Sequence, residues 1–406
     1  MNREACRQYA DRAEAELRQN ILPFWLHHVI DHEGGGFFGA ITNDLQVDRA
    51  ASRGALLTAR ILWTFSAAHR RYQDAACREM ARRAYADLHE RFWDNRHGGL
   101  YWSVAADGKP EQTVKHIYGQ AFGVYALAEY HHATGERAAL DRAISLYRVI
   151  EEHGRDPRHG GYFEAFARDW SSTGDIRLSE LDLNEPKSQN THLHVMEAYA
   201  NLLRVWPDAG LQRRLVELLD VMVTRILDPG THHLRLFLDE AWTPRSDRVS
   251  FGHDIEASWL LMEAAAVLAD PKMEARLRPV ALKMAQVTLN EGVDADGGLF
   301  YEADKNGVTN SNKEWWPQAE AVVGFLNAYE LAGGEHFLQA ALRVWDFIEH
   351  RLIDRRYGEW FHHASRKGEP SLRDPKVSFW KCPYHNSRAC LEFSERLRRL
   401  SAVPQD

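Results

Sequence analysis

The sequence predicts an all-α protein: an (α/α)6 barrel of six helix pairs, with short β-hairpins and long loops at one mouth, as a single domain over residues 1–406. Three observations lead there. First, a turn of small residues followed by an aromatic strand recurs at Gly35-Gly36-Phe37-Phe38, Gly98-Gly99-Leu100-Tyr101, Gly160-Gly161-Tyr162-Phe163, Gly297-Gly298-Leu299-Phe300 and Gly358-Glu359-Trp360-Phe361, with a degenerate copy at His232-His233-Leu234-Arg235. The starts at 35, 98, 160, 232, 297 and 358 are nearly evenly spaced, which is the mark of a repeat architecture. Second, each interval has room for two helices. Third, six repeats without a polar capping unit at either end favour a closed ring over an open superhelix of helix pairs.

Apolar residues at three-to-four spacing place helices at Arg3–Asn20, Arg53–Arg71, Ala75–Phe92, His116–Thr134, Ala138–His153 and Thr191–Val205. The same spacing continues at Leu211–Ile226, His253–Ala269, Lys272–Leu289, Trp315–Leu331, His336–Arg351 and Tyr384–Leu400. The second helix of each pair is the less charged, as in Ala257-Ser258-Trp259-Leu260-Leu261-Met262, and is expected to form the inner ring. Inner helices then start near Arg53, His116, Thr191, His253, Trp315 and Tyr384, and their positive dipole ends surround one mouth. Two long connections, Arg168–Gln189 and Ser365–Lys381, precede inner helices and are expected to overhang that mouth.

Composition narrows the function. Apolar residues make up 45% and charged residues 27%, and no tract is of low complexity, so the class is globular. A formal charge of -8 with scattered Lys and Arg argues against a nucleic-acid partner. No apolar run is long enough for a membrane span, and the charged start, Met1 to Asn20, has no signal core, so the cytoplasm is the expected compartment. Cys6, Cys77, Cys382 and Cys390 form no CxxC pair and suggest no disulfide framework.

The chemistry is expected at the inner-helix starts. His253 and Glu256 stand three apart, so a carboxylate can support an imidazole as a general base. Asn190, His194 and Glu197 share another helix face, and His385 stands at the start of the last inner helix. His192 is two residues from His194 and should point elsewhere, which makes a poor metal site. Arg60 could anchor a developing oxyanion, and the indoles of Trp316 and Trp380 could stack on pyranose rings. No nucleophile elbow, phosphate loop or dinucleotide fingerprint occurs, so no metal or other cofactor is expected. Several imidazoles without a cofactor point to proton transfer next to a carbonyl. A glycosidase would need two carboxylates flanking a bond, for which Glu256 and Glu320 could be proposed. A sugar-binding protein would keep the indoles but has no need of paired His and Glu.

Longer motifs carry a resemblance. Ser250-Phe251-Gly252-His253-Asp254-Ile255-Glu256-Ala257-Ser258-Trp259, Asn190-Thr191-His192-Leu193-His194, Trp315-Trp316-Pro317-Gln318-Ala319-Glu320 and Phe379-Trp380-Lys381-Cys382-Pro383-Tyr384-His385-Asn386 resemble the cellobiose 2-epimerase branch of the N-acylglucosamine 2-epimerase superfamily, over nearly the whole chain. The resemblance implies an (α/α)6 barrel and cofactor-free C2 epimerisation of the reducing-end glucose of β-1,4-linked disaccharides through an enediolate. It implies His253 and His385 as the two acid/bases, Glu256 as support for His253, and His194 with Arg60 in ring opening and oxygen binding. Tyr118, Asp182, Asn190, Tyr301, Trp316, Glu320 and Trp380 fall at matching substrate-contact positions. The expected partner is a small sugar, the expected state a monomer. Within the superfamily the rivals are a mannose 2-epimerase, an aldose–ketose isomerase and an N-acylglucosamine 2-epimerase.

Overall fold

A computed structural model describes residues 3–402. The chain opens with α1 (Arg3–Glu16), which passes through a widened π turn at Leu17–Ile21 into α2 (Leu22–His28). There follow α3 (Ala55–Tyr72), α4 (Ala75–Asp87), α5 (Ile117–Thr134), α6 (Arg137–Val149), α7 (Gln189–Val205) and α8 (Ala209–Val221). The chain ends with α9 (Phe251–Leu268), α10 (Pro271–Glu291), α11 (Trp315–Ala332), α12 (Glu335–Phe347) and α13 (Tyr384–Ala402). Helices α3, α5, α7, α9, α11 and α13 form an inner ring in which each packs on the next and α13 returns to α3. Most of these helices are buried nearly all round, as in the unbroken buried run from Ile117 to Tyr130, while α13 is so only in its first turns. The outer α12 has an apolar stripe along one side, the pattern of a helix covered on one face only.

Helix pairing follows connection length. Each inner helix packs on the outer helix that follows it, α3 on α4 through to α11 on α12, and α1 closes on α13. The links are short because an αL residue ends the inner helix (Gln73, Gly135, Ala269, Gly333) and a cap starts the outer one. Asp74, for example, accepts from the Ala76 and Cys77 amides at 2.7 and 3.1 Å. The grouping by sequence, an outer helix with the inner one after it, is therefore corrected in space. Among the described residues five outer helices end in π turns, at Leu17–Ile21, Leu88–Phe92, Ile150–Gly154, Met222–Ile226 and Ile348–Leu352. Nothing in the composition of these segments announced them.

The recurrent turns follow. At five of the six turns described, an aspartate accepts from amides two and three residues on with one oxygen, as Asp94 does from Arg96 and His97, whereas Asp294 accepts from the Ala295 amide. The other oxygen grips a buried cation in the segment leading to the next inner helix: Asp31 with Arg53 (2.6 Å), Asp94 with Lys115 (3.1 Å), Asp156 with Lys187 (2.7 Å), Asp294 with Lys313 (2.8 Å) and Asp354 with Lys376 (2.8 Å). The fourth repeat differs. Asp228 turns to Arg235, and the buried pair is His233 with Asp254 at 2.7 Å. Gly161 needs its missing side chain: φ is +72°, and a Cβ would run into His192 and Trp242.

Two-residue strands join the repeats at the mouth. Arg53–Gly54 pairs with Ser103–Val104, Lys115–His116 with Ala165–Phe166, and Lys187–Ser188 with Phe237–Leu238. Val249–Ser250 pairs with Glu302–Ala303 and Lys313–Glu314 with His363–Ala364, and the bridge Ile41 to Val377 joins the two ends. Each inner-helix start is thus fixed to the next repeat, so residues in its first turns have little positional freedom. Among the described residues no helix is long and apolar enough to cross a membrane.

Candidate active site

A cavity of about 420 Å³ opens at the inner-helix starts. Arg60, Tyr118, Asp182, Asn190, His194, His253, Glu256, Tyr301, Trp316, Trp380 and His385 all line it. Glu320 does not. It lies behind His385, with its carboxylate on the His385 ring, Trp259 and Arg388.

Each imidazole has a distinct support. His194 Nδ1 lies 2.8 Å from Glu197 Oε2, the pair expected from their three-residue offset. His385 Nδ1 lies 2.6 Å from Glu320 Oε1. His253 Nδ1 lies 2.8 Å from the Ser250 hydroxyl. The expected support of His253 by Glu256 is therefore corrected. His253 sits in the first turn of α9 and reaches back to Ser250, while Glu256, a turn deeper, bonds Arg388 at 2.7 Å. With Nδ1 occupied in all three rings, Nε2 is the nitrogen left for substrate. His192 points away as expected: its Nδ1 is 2.7 Å from the Ser188 carbonyl, and its Nε2 accepts from the Tyr162 amide at 2.9 Å.

The electrostatics follow from burial. Burial pushes the His253 imidazole down to about 3, with His194 and His385 adding to the effect, so it is a neutral base. His194 is lowered by burial against the pull of Glu197. Burial would raise Glu197, but Arg388, His194 and Tyr384 bring it down to about 2, so it is ionised. Burial and the neighbouring Glu320 push Glu256 well up, which keeps it protonated. Burial also raises Glu320 and depresses His385, so a proton held by that pair lies along their 2.6 Å contact and leaves an N–H at Nε2. The Glu314 carboxyl at the cavity wall is lifted by burial to about 8.

Arg60 is the distinctive cation. It is buried, donates to the Tyr118 hydroxyl at 2.8 Å, contacts the Cys382 sulfur at 3.7 Å, and pairs with no carboxylate among the described residues. Arg60 Nε, Asn190 Oδ1 and Glu256 Oε2 are buried without a hydrogen-bond partner at the cavity. Such groups are costly unless a ligand satisfies them, so donors and acceptors await a polyhydroxylated molecule. Trp316 closes the wall between two of the imidazoles, 4.7 Å from the His253 ring and 5.7 Å from the His385 ring.

The two long connections behave differently. Residues Ile176 to Glu185 of the first hang over the cavity, Asp182 being fixed by the Ser179 amide and hydroxyl at 3.0 and 3.1 Å. The second was expected to overhang as well, but only Trp380 at its end reaches the cavity. Its body is tied down by Asn43 to the Asp374 carbonyl and by the bridge from Ile41 to Val377.

Two groups of potential metal donors occur among the described residues: Glu256, Glu320 and His385, and His362, His363 and Asp374. In the first, Arg388 donates to both carboxylates at 2.7 Å and already supplies the positive charge there. Arg388 and Tyr384 are the functional neighbours that the sequence did not single out. Their four-residue spacing placed them on one face of the last inner helix, but their partners come from three other helices.

Comparison with known proteins agrees with this geometry. Residues 36–389 match the family N-acylglucosamine 2-epimerase (GlcNAc 2-epimerase). The chain is 45% identical over 380 residues to the cellobiose 2-epimerase of Bacteroides fragilis, covering 93% of this chain and 97% of that one. The solved cellobiose 2-epimerase of Bacillus thermoamylovorans B4167 superposes with a TM-score of 0.91 at 40% identity, over 96% of this chain and 99% of that one. A D-mannose isomerase shares the fold at a TM-score of 0.84 and 21% identity, over 95% of this chain and 97% of that one. The chain belongs to the N-acylglucosamine 2-epimerase family, in its cellobiose 2-epimerase branch, and is a carbohydrate epimerase.

Proposed function

We propose that the protein epimerises C2 of the reducing-end glucose of β-1,4-linked disaccharides, cellobiose to glucosyl-mannose and lactose to epilactose, by two-histidine proton transfer. The observation that carries this reading is an unpaired, buried Arg60 guanidinium in a cavity that also holds His194, His253 and His385. An enediolate needs a preorganised positive group at its oxygens and a proton carrier on each side of the reacting carbon. The charge inventory supports it. With Glu256 protonated and the Glu320–His385 unit neutral when it carries its proton, Glu197 offsets Arg388 and Arg60 is left as the positive charge that meets the enediolate. Removal of the C2 proton by neutral His253 creates one imidazolium and one enediolate, a balanced pair. His385 with Glu320 holds the proton delivered to the opposite face, and the reverse reaction uses the same groups in exchanged states. Inversion by a single base would require the intermediate to turn over. His194, with Arg60 and Tyr118, serves ring opening and holds O1 and O2. A cavity of about 420 Å³ is within the range that encloses a molecule of disaccharide size. The loop from Ile176 to Glu185 lies over it and supports a second sugar beyond the first.

The test is the product formed from cellobiose or lactose in deuterium oxide, read by carbon and proton NMR. The proposal expects mannosyl product carrying deuterium at C2 in a single turnover. Product that changes configuration yet keeps its C2 hydrogen would sink the two-base scheme. Turnover of mannose alone, with label at C1, would favour an aldose–ketose isomerase, and released glucose a hydrolase.

A further inference from the structure

Behind the cavity, and outside its lining, lies one arginine that touches the carboxylates of three different inner helices. Arg388 of α13 is 2% exposed. Its Nη1 donates to Glu197 Oε1 on α7 and to the Tyr384 hydroxyl, and its Nη2 donates at 2.7 Å both to Glu256 on α9 and to Glu320 on α11. Its guanidinium stacks over Tyr384 at 4.4 Å and Trp259 at 4.7 Å, which fixes its plane. The titratable groups facing it are therefore Glu197, Glu256, Glu320, Tyr384 and the more distant Tyr125, with His194 and His385 one bond further out.

Two of those carboxylates are the supports of two histidines. Glu197 holds His194 Nδ1 with the oxygen Arg388 does not touch, while Glu320 uses the same Oε1 for His385 and Arg388. The guanidinium is planar and its donors are set at fixed angles, so it can hold three carboxylates in one arrangement where an ammonium could not. Glu256 is the third, and its Oε2 is left facing the cavity without a partner.

We infer that Arg388 is a positioning residue for catalysis: one guanidinium orders Glu197 and Glu320 together and so sets the tautomer and orientation of His194 and His385 as a unit, while presenting Glu256 to the substrate. This rests on the proposed roles of His194 and His385 in proton transfer. Coupled histidines give the reaction a single competent arrangement rather than independently wandering bases.

The experiment uses Arg388→Lys and Arg388→Met. Orienting partners of catalytic or ligating imidazoles contribute roughly 10–100-fold, so kcat on cellobiose should fall by about that factor in both variants. KM should change less than kcat, because Arg388 does not itself line the cavity. The pH profile of kcat should shift, which a purely structural role would leave in place. A second readout needs no turnover: the low-field imidazole proton resonances of His194 and His385 should both move in Arg388→Met. If neither arginine variant folds, Glu197→Gln decides, because coupling requires it to move the His385 resonance as well as that of His194. A folded Arg388→Met protein with normal kcat and both resonances in place would overturn the inference, as would a purely local effect of Glu197→Gln. A wild-type protein inactive on disaccharides would sink the proposed function and leave the resonance test standing.

Discussion

Replacing Glu320 with glutamine removes a charge but almost no volume, and it isolates what stands behind His385. The carboxylate contacts His385 Nδ1 at 2.6 Å, Arg388 at 2.7 Å and the Trp259 indole at 3.1 Å. Glutamine retains one acceptor for the indole or the guanidinium, but it cannot share an ionisable proton with the imidazole. A hydrogen bond to a charged group is worth about 1.5–3 kcal/mol. At about 1.4 kcal/mol per factor of ten, losing it at the proposed acid/base predicts a fall in kcat of roughly 10–150-fold. Ser250→Ala is the control on the other proposed base. His253 leans on a neutral hydroxyl, so about 0.5–1.5 kcal/mol is lost and the fall should be only about 2–10-fold. The assay is epimer formation from cellobiose under saturating substrate, with circular dichroism and thermal melting to show intact folding. A folded Glu320→Gln enzyme with wild-type kcat, or a Ser250→Ala enzyme damaged more severely, would refute the assignment of a charged support to His385 and a neutral one to His253.

His253→Asn and His385→Asn should each lower kcat by about 10²–10⁴-fold with little change in melting temperature, and His192→Asn much less, measured by the same assay. Because the His253 imidazole is held down to about 3, it stays neutral above that pH, so the acid limb of kcat/KM should fall well below 6.5; a limb at 6.5 or higher would contradict this. Exhaustive chelation should leave turnover unchanged, since Arg388 already supplies the cation among Glu256, Glu320 and His385; loss with EDTA and recovery with a divalent ion would refute it. Burial raises the Glu16 carboxyl to about 7, so the fold keeps its full stability below the ordinary carboxylate range and loses some as pH rises through 7. Glu16→Gln should flatten that loss, worth about 2–3 kcal/mol at most, in urea melts at pH 5 and pH 8.

Much of this was legible because it is periodic. The Gly-Gly-aromatic turns and the apolar spacing are local features, so the ring of six repeats could be read before any contact was known. The offset of three between His194 and Glu197 translated directly into a 2.8 Å contact. The same offset between His253 and Glu256 did not, because shared helix face is necessary but not sufficient. Ser250 and Arg388 compete for those side chains, and only the three-dimensional arrangement decides. Arg388 was not visible for the same reason: its partners lie 132, 68 and 191 residues away. Glu320 was read as a substrate contact because its motif stands beside Trp316, yet one more helical turn carries it behind His385.

The aspartate-to-cation pairs at the turns have a consequence for how the chain assembles. Asp94 and Lys115 are only 21 residues apart, Asp156 and Lys187 only 31, and Asp294 and Lys313 only 19. Closing such loops costs little chain entropy, so each repeat can fasten its own turn to the root of its next inner helix early, in chain order, as the polypeptide lengthens. The seam is the opposite case. Trp25 meets Glu359 across 334 residues and Trp360 meets Glu16 across 344, and neither contact can form until the last repeat exists. Folding should therefore proceed as a row of locally latched units whose final event is docking of α1 on α13. The arrangement of the cavity imidazoles then dates from that event, because α13 carries both His385 and Arg388.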